Sequence, residues 1–390
     1  MSKLANNSLK TKKLPFVRER QFCPGPTPVP LHSRLLMVDQ VPYHRQEGFY
    51  STFRHCREML SPLFGSASAP LILTSSGTGA MEAALVNCTE VGDKVLCLVG
   101  GKFGERWLDL ATAFGCEVHT LSFPWGQVPA VEELEEVLAK HPGFKAVFMQ
   151  QCETSTGVCL PVGAYGQAIN RHSDALVVVD AISSLGAEPM KMNQWGIDIV
   201  VSGSQKGLST PPGLSFIACS ERMQRRWSKR PRFYFDLPKE FKNQEKGQSS
   251  FTPASSLIVG LEASLAAITA YGVEDYVAFH QGLAQGVRRA LEAMGLKLLG
   301  EGHFSNGLSA AFIPQEVDGN LLLKRLQERV GMIFAGGQDQ LAGKIVRFAH
   351  LGMIDYFDIC AGIIGLEQEL FYLGCGNVLG AGISAFLQEG

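Results

Sequence analysis

Lys206 and Asp180 are the two residues whose types and placement can do covalent chemistry together. Lys206 lies in Ser202-Gly203-Ser204-Gln205-Lys206-Gly207-Leu208, just past the mostly apolar run 197–201. Asp180 closes another apolar run, 175–179. An amine and a carboxylate at the carboxyl ends of two buried strands can face one pocket. A lysine condenses with aldehydes. A carboxylate in so apolar a place needs a partner, and a protonated heterocyclic nitrogen is one. The pair points to pyridoxal phosphate chemistry. Taken alone, Asp180 could equally cap the following helix.

Other segments offer supporting groups. Leu73-Thr74-Ser75-Ser76-Gly77-Thr78-Gly79 follows a short apolar run and opens a helical pattern. Small residues there let backbone N–H groups approach an anion at the helix start, a phosphate being the natural one. A glycine-containing turn capped by Thr78 is the plainer alternative. Phe103, in Gly100-Gly101-Lys102-Phe103-Gly104, could stack on a flat ring or start the core face of its helix. The hydroxyls of Glu153-Thr154-Ser155-Thr156-Gly157 could reach a ligand or bond within their own turn. Arg347 has apolar neighbours on an expected strand, where its planar fork fits a carboxylate of a ligand or of another side chain.

The elements that must position these groups alternate in type. Apolar, β-rich runs stand at 71–73, 95–99, 118–121, 146–149, 176–179, 197–201 and 214–218. Between several of them lie helical stripes, such as Phe103, Trp107, Leu110, Ala111 and Phe114. Continuous apolar strands with amphipathic helices between them predict a mainly parallel sheet covered on both faces. Ligands then bind beyond the carboxyl ends of the strands. Residues 229–256, with Pro231, Pro238 and Pro253, break the rhythm and are expected to be an extended excursion with short ordered pieces. A long helix is expected at 256–270, followed by a smaller α/β unit with segments at 274–294, 296–299, 308–312, 319–330 and 345–348.

Composition narrows the class. The 390 residues are 46% hydrophobic and carry a net charge of −2, which favours neither nucleic acid nor an anionic membrane. Ten cysteines are scattered without C-x-x-C spacing, and the histidines do not cluster with them. That implies a reducing, cytoplasmic setting, no disulfide framework and no zinc site. No run is long enough for a membrane-spanning helix. Lys3, Lys10, Lys12, Lys13, Arg18 and Arg20 suggest a solvated basic arm over 1–21.

Taken together the segments resemble the class V aminotransferases, pyridoxal phosphate enzymes of fold type I, most closely the alanine–glyoxylate and serine–glyoxylate (serine–pyruvate) branch. The resemblance rests on Pro24-Gly25-Pro26-Thr27-Pro28, His44-Arg45, Ser76-Gly77-Thr78 with Glu82-Ala83-Ala84-Leu85, and the stretches 153–157, 178–186, 202–213 and 344–352, in family order. Ser-Gly-Ser-Gln-Lys followed by Pro-Pro-Gly is the most specific piece. The resemblance implies a mainly parallel seven-stranded sheet with helices on both faces, a large cofactor-binding domain over 22–270 and a small C-terminal α/β domain over 271–390. By resemblance Lys206 is the Schiff-base lysine and Asp180 the acid paired with the pyridine nitrogen. Ser76, Gly77, Thr78 and Gln205 are phosphate-side positions. Thr154 lies near the ring hydroxyl, Phe103 stacks, and Arg347 grips the substrate carboxylate. Thr252 reaches the phosphate of a neighbouring subunit, which implies a homodimer with shared sites. Ser249 stands where some glyoxylate enzymes have tyrosine, and Phe103 where many relatives have tryptophan.

The activity so implied is ping-pong transfer of an amino group from alanine or serine to glyoxylate or pyruvate. Transamination between 2-aminoethylphosphonate and pyruvate is the alternative within the class. A non-catalytic subunit of the same fold is the alternative outside it.

Overall fold

A computed structural model describes residues 19–388. The basic cluster from Lys3 to Arg18 lies outside the described residues.

Seven strands form the large sheet in the order Leu71–Leu73, Ser215–Cys219, Ile199–Gly203, Leu176–Asp180, Ala146–Gln150, Lys94–Val99, Glu117–Ser122. Ser215–Cys219 runs antiparallel to both of its neighbours, and the other pairings are parallel. The sheet is buried on both faces because its central strands are apolar up to their carboxyl ends, where Gln150, Asp180, Ser202 and Gly203 stand. Val147, Met149, Val177, Val179 and Val200 point into one core. Ala146, Phe148, Leu176, Val178, Ile199 and Val201 point into the other. This alternation of two sets of apolar side chains is what a strand covered on both sides requires.

A four-stranded sheet of Arg20–Phe22, Met332–Gly336, Ile345–Ala349 and Leu308–Phe312 carries the C-terminal part. Its core includes Phe22, Phe334, Phe348, Ile363 and Leu366. Arg20–Phe22 pairs in parallel with Met332–Phe334, so the end of the expected arm is a strand of this sheet. Three residues are too few to show a periodic pattern, and their partners lie some three hundred residues away.

Other expectations shift. The run 197–201 forms its strand two residues later, at Ile199–Gly203. Asp198 bonds the Val177 N–H through its side chain, and pairing with Ser215 and Phe216 carries the strand on through Ser202 and Gly203. Residues 296–299 form no strand; Leu298 makes an isolated bridge to Ala311. The excursion at 229–256 holds one helix, Leu237–Gln244, capped by Asp236. The long helices run Ser255–Tyr271 and Val273–Ala293. No single helix among the described residues is long and apolar enough to cross a membrane.

Candidate active site

The parallel strands end at one edge of the large sheet, and the loops that leave them enclose a cavity of about 230 Å³. Ser76, Gly77, Thr78, Phe103, Gln205 and Lys206 line it, joined by Gly25, Pro26, Arg106, Ile182, Ser183 and Pro212. Six of the expected site residues are thus brought together from three separate segments, while Asp180, Thr154, Arg347 and Thr252 do not line the space.

Helix Gly77–Cys88 opens onto this space. Ser76, not Thr78, is its N-cap, accepting from the Gly79 N–H at 3.4 Å. The N–H groups of Gly77 and Thr78 are in the first turn, which has no preceding carbonyl to bond. A Cβ on Gly77 would fall 2.5 Å from Ile182 Cδ1, so the close approach needs glycine.

Lys206 donates to the carbonyl of Pro24. Gly25 has φ +124°, and a Cβ there would lie 2.6 Å from Lys206 Cδ. Burial lowers the lysine pKa to about 8, opposed by Cys152 and Asp180 and reinforced by Arg347. Asp180 is level with Gln150 and Val201 on the adjacent strands. It accepts from the Ile182 N–H at 2.7 Å, and among the described residues it has no salt-bridge partner. Burial raises it to about 7, against that hydrogen bond and the charge of Arg106.

Thr154 stands just behind the cavity wall, donating to Ser183 Oγ at 2.6 Å. Ser183, rather than Thr154, is the hydroxyl that lines the space. Arg347 is 7% exposed and donates through Nε to Gly336 O at 2.7 Å and through Nη1 to Thr154 O at 2.8 Å. Backbone carbonyls, not a carboxylate, therefore hold it; burial lowers its pKa, and the nearby charge of Glu153 acts against that. Thr252 is elsewhere, in a small cleft with Thr74, Tyr234 and Phe251. Ser249 bonds within its own loop, to Phe251 O at 2.5 Å.

Two site residues escaped the sequence reading. Arg106 stacks its guanidinium 4.8 Å over the Phe103 ring. Its spacing of three from Phe103 on one helix was the available signal. Glu153, buried, is the side-chain anchor for helix Lys102–Ala113, whose own N-cap, Gly101, has no side chain. Its carboxylate accepts from Phe103 N at 3.1 Å, Gly104 N at 3.1 Å, Gln150 Nε2 at 3.0 Å and Ser155 Oγ at 2.5 Å. Burial pushes the Glu153 acid upward, and these donors pull against it. Glu153→Ala leaves buried donors unpaired and should cost about 3 kcal/mol. A urea-unfolding midpoint equal to the parent's would contradict that anchoring role.

The site suits a planar group with a cationic nitrogen and an aldehyde. Among the described residues Asp180 is a buried acid without a bonded cation, and Lys206 is a desolvated amine without a bonded acid. Gln205 Oε1 is buried and unpartnered at the cavity wall. Phe103 supplies an aromatic face. The model of one family, aminotransferase class V, matches residues 37–348. The chain belongs to the class-V aminotransferases. These are pyridoxal phosphate-dependent transaminases of fold type I. A soluble hydrogenase small subunit from Synechococcus sp. is 38% identical to this aminotransferase, over 93% of this chain and 96% of that one. The serine–glyoxylate aminotransferase of Hyphomicrobium methylovorum is 35% identical, covering 93% and 92%. Among solved structures, an alanine–glyoxylate aminotransferase from Nostoc sp. superposes with a TM-score of 0.86 at 30% identity, covering 95% of this aminotransferase and 100% of that chain.

Proposed function

We propose that this aminotransferase moves the amino group of a small amino acid, alanine or serine, to a small 2-oxo acid, glyoxylate or pyruvate, in two half-reactions. The observation that carries this is the desolvated amine of Lys206 on the cavity wall, with the buried acid Asp180 and the carbonyl-held Arg347 behind that wall and near enough for their charges to act on it. The substrate choice is supported by the serine– and alanine–glyoxylate enzymes among its relatives.

Bound pyridoxal phosphate supplies an aldehyde for the amino group and an electron-withdrawing ring. Lys206, Asp180, Gln205 and the first turn at Ser76–Thr78 would hold it, with Phe103 against the ring and Ser183 and Thr154 beside it. Arg347 receives the substrate carboxylate on its remaining N–H groups, which fixes Cα relative to Lys206. Lys206 Nζ takes the proton from Cα of the donor and delivers one to Cα of the acceptor. A pKa near 8 lets it serve in both directions near neutral pH. Asp180 would pair with the ring nitrogen and keep it protonated, which would stabilise charge that develops at Cα. Those groups favour a working enzyme over a non-catalytic subunit.

The proposal includes a homodimer in the cytoplasm. Thr252 lies apart from its own chain's cavity, as expected of a residue that serves the neighbouring subunit. Leu31, Leu35, Val38, Val41 and Tyr43 are exposed together just before His44 and Arg45, an apolar strip suited to that interface.

Steady-state assays pairing alanine or serine with glyoxylate or pyruvate test the reading. Parallel double-reciprocal lines are expected. Arg347→Ala should raise KM for donor and acceptor alike by about 10- to 100-fold, the worth of a charge-assisted pair of ~1.5–3 kcal/mol. An increase confined to one substrate would refute the shared clamp, and inertness toward all four would refute the substrate class.

A further inference from the structure

A second apolar surface lies on the C-terminal part, on helix Tyr356–Tyr372. One face of this helix is core: Ile359, Ile363, Leu366 and Leu370 are buried. The opposite face is not polar, as a solvent face would be. Phe357, Ile364 and Phe371 are 77%, 50% and 41% exposed. They recur every seven residues, a seam that keeps to one side of a helix over about 21 Å. Cys360 and Ala361, half-buried, fill the turn between the first two.

The seam reads the same in both directions. An aromatic ring stands seven residues before Ile364 and another seven after it. Its two ends differ in charge. Asp355, the N-cap, is exposed at one end. At the other, Arg325 and Arg329 share the single buried carboxylate of Glu369 and stack 5.9 and 5.3 Å from the Tyr372 ring. Two guanidinium groups on one carboxylate leave a surplus positive charge. Laid antiparallel on itself, the helix would bring Phe357 to Phe371, Ile364 to Ile364, and the acidic end to the basic end. Self-complementarity of this kind is what a two-fold interface requires.

We propose that helix Tyr356–Tyr372 is a two-fold interface between copies of this chain, antiparallel and centred on Ile364. Asp355 and Asp358, at the start of this helix, share a cavity with Pro30, His32 and Ser33. Ile364 lies more than a turn beyond Asp358, so an interface centred on Ile364 would be a second one and would double whatever assembly the strip at 31–43 makes.

Light scattering on the purified holoenzyme, with Ile364→Arg beside the parent, tests this. The variant sets two like charges on the axis, at an exposed residue that does not line the cavity, and should have half the parent's mass with unchanged activity. Equal masses would overturn the interface. Ile364→Cys places the same sulfur on both sides of the axis and should form a chain-to-chain disulfide under mild oxidation. The parent should not, because its Cys360 would face Gln368 of the second copy; nor should Val91→Cys, an exposed control. A mass change without that disulfide would overturn the antiparallel arrangement.

Discussion

Lys206→Ala should lower turnover by about four orders of magnitude, the upper range of what a positioned acid–base group contributes. The loss should fall on kcat, because Arg347 and the Ser76–Thr78 turn still bind their ligands. The visible absorbance that the lysine–cofactor bond gives the parent should vanish as well. The folded chain should survive. Alanine removes an amine whose burial is unfavourable to its charge, as the lowering to about 8 indicates. A spectrophotometer and a melting curve suffice. Retained turnover, or a retained absorbance band, would remove Lys206 from the reaction.

Asp180→Asn should act in opposite directions on function and on the stability of the apoprotein. An ordinary aspartate carboxyl ionises near 3.8, and burial lifts Asp180 to about 7. Between those values the unfolded chain holds fewer protons than the folded one. The contribution of Asp180 to stability therefore falls as pH rises from about 4 to about 7, then levels off. Asparagine has no charge to desolvate. At pH 8 the apoprotein variant should be more stable than the parent by about 2–4 kcal/mol, with the gap closing toward pH 4. Its kcat should nonetheless drop about 10³-fold, since the charge that stabilises Cα is gone. Equal stability of the two apoproteins at pH 8 would mean that Asp180 already has a partner without the cofactor.

Lys206 and Asp180 were legible together because Asp180 ends one apolar run and Lys206 lies in the short polar loop just past another. The half-exposed edge strand Glu117–Ser122 showed only a short apolar stretch, but the inner strands were legible because burial on both faces leaves a mostly apolar one. The groups that steady the site were not. Glu153 works through backbone N–H groups of a loop fifty residues earlier, a pairing that only the packed sheet creates. Arg20–Phe22 joins a sheet whose other strands lie near the opposite end of the sequence. Ile199–Gly203 begins late because Asp198 spends its side chain on the neighbouring strand. Helix Tyr356–Tyr372 was not among the expected segments, since apolar residues on both of its faces leave no one-sided stripe.

Borohydride reduction of the pyridoxal phosphate-loaded protein, followed by digestion and mass spectrometry, tests the central claim most directly. The account predicts a pyridoxyl group fixed on Lys206 alone, with about one group per chain. A label on any other lysine, or none at all, would contradict it.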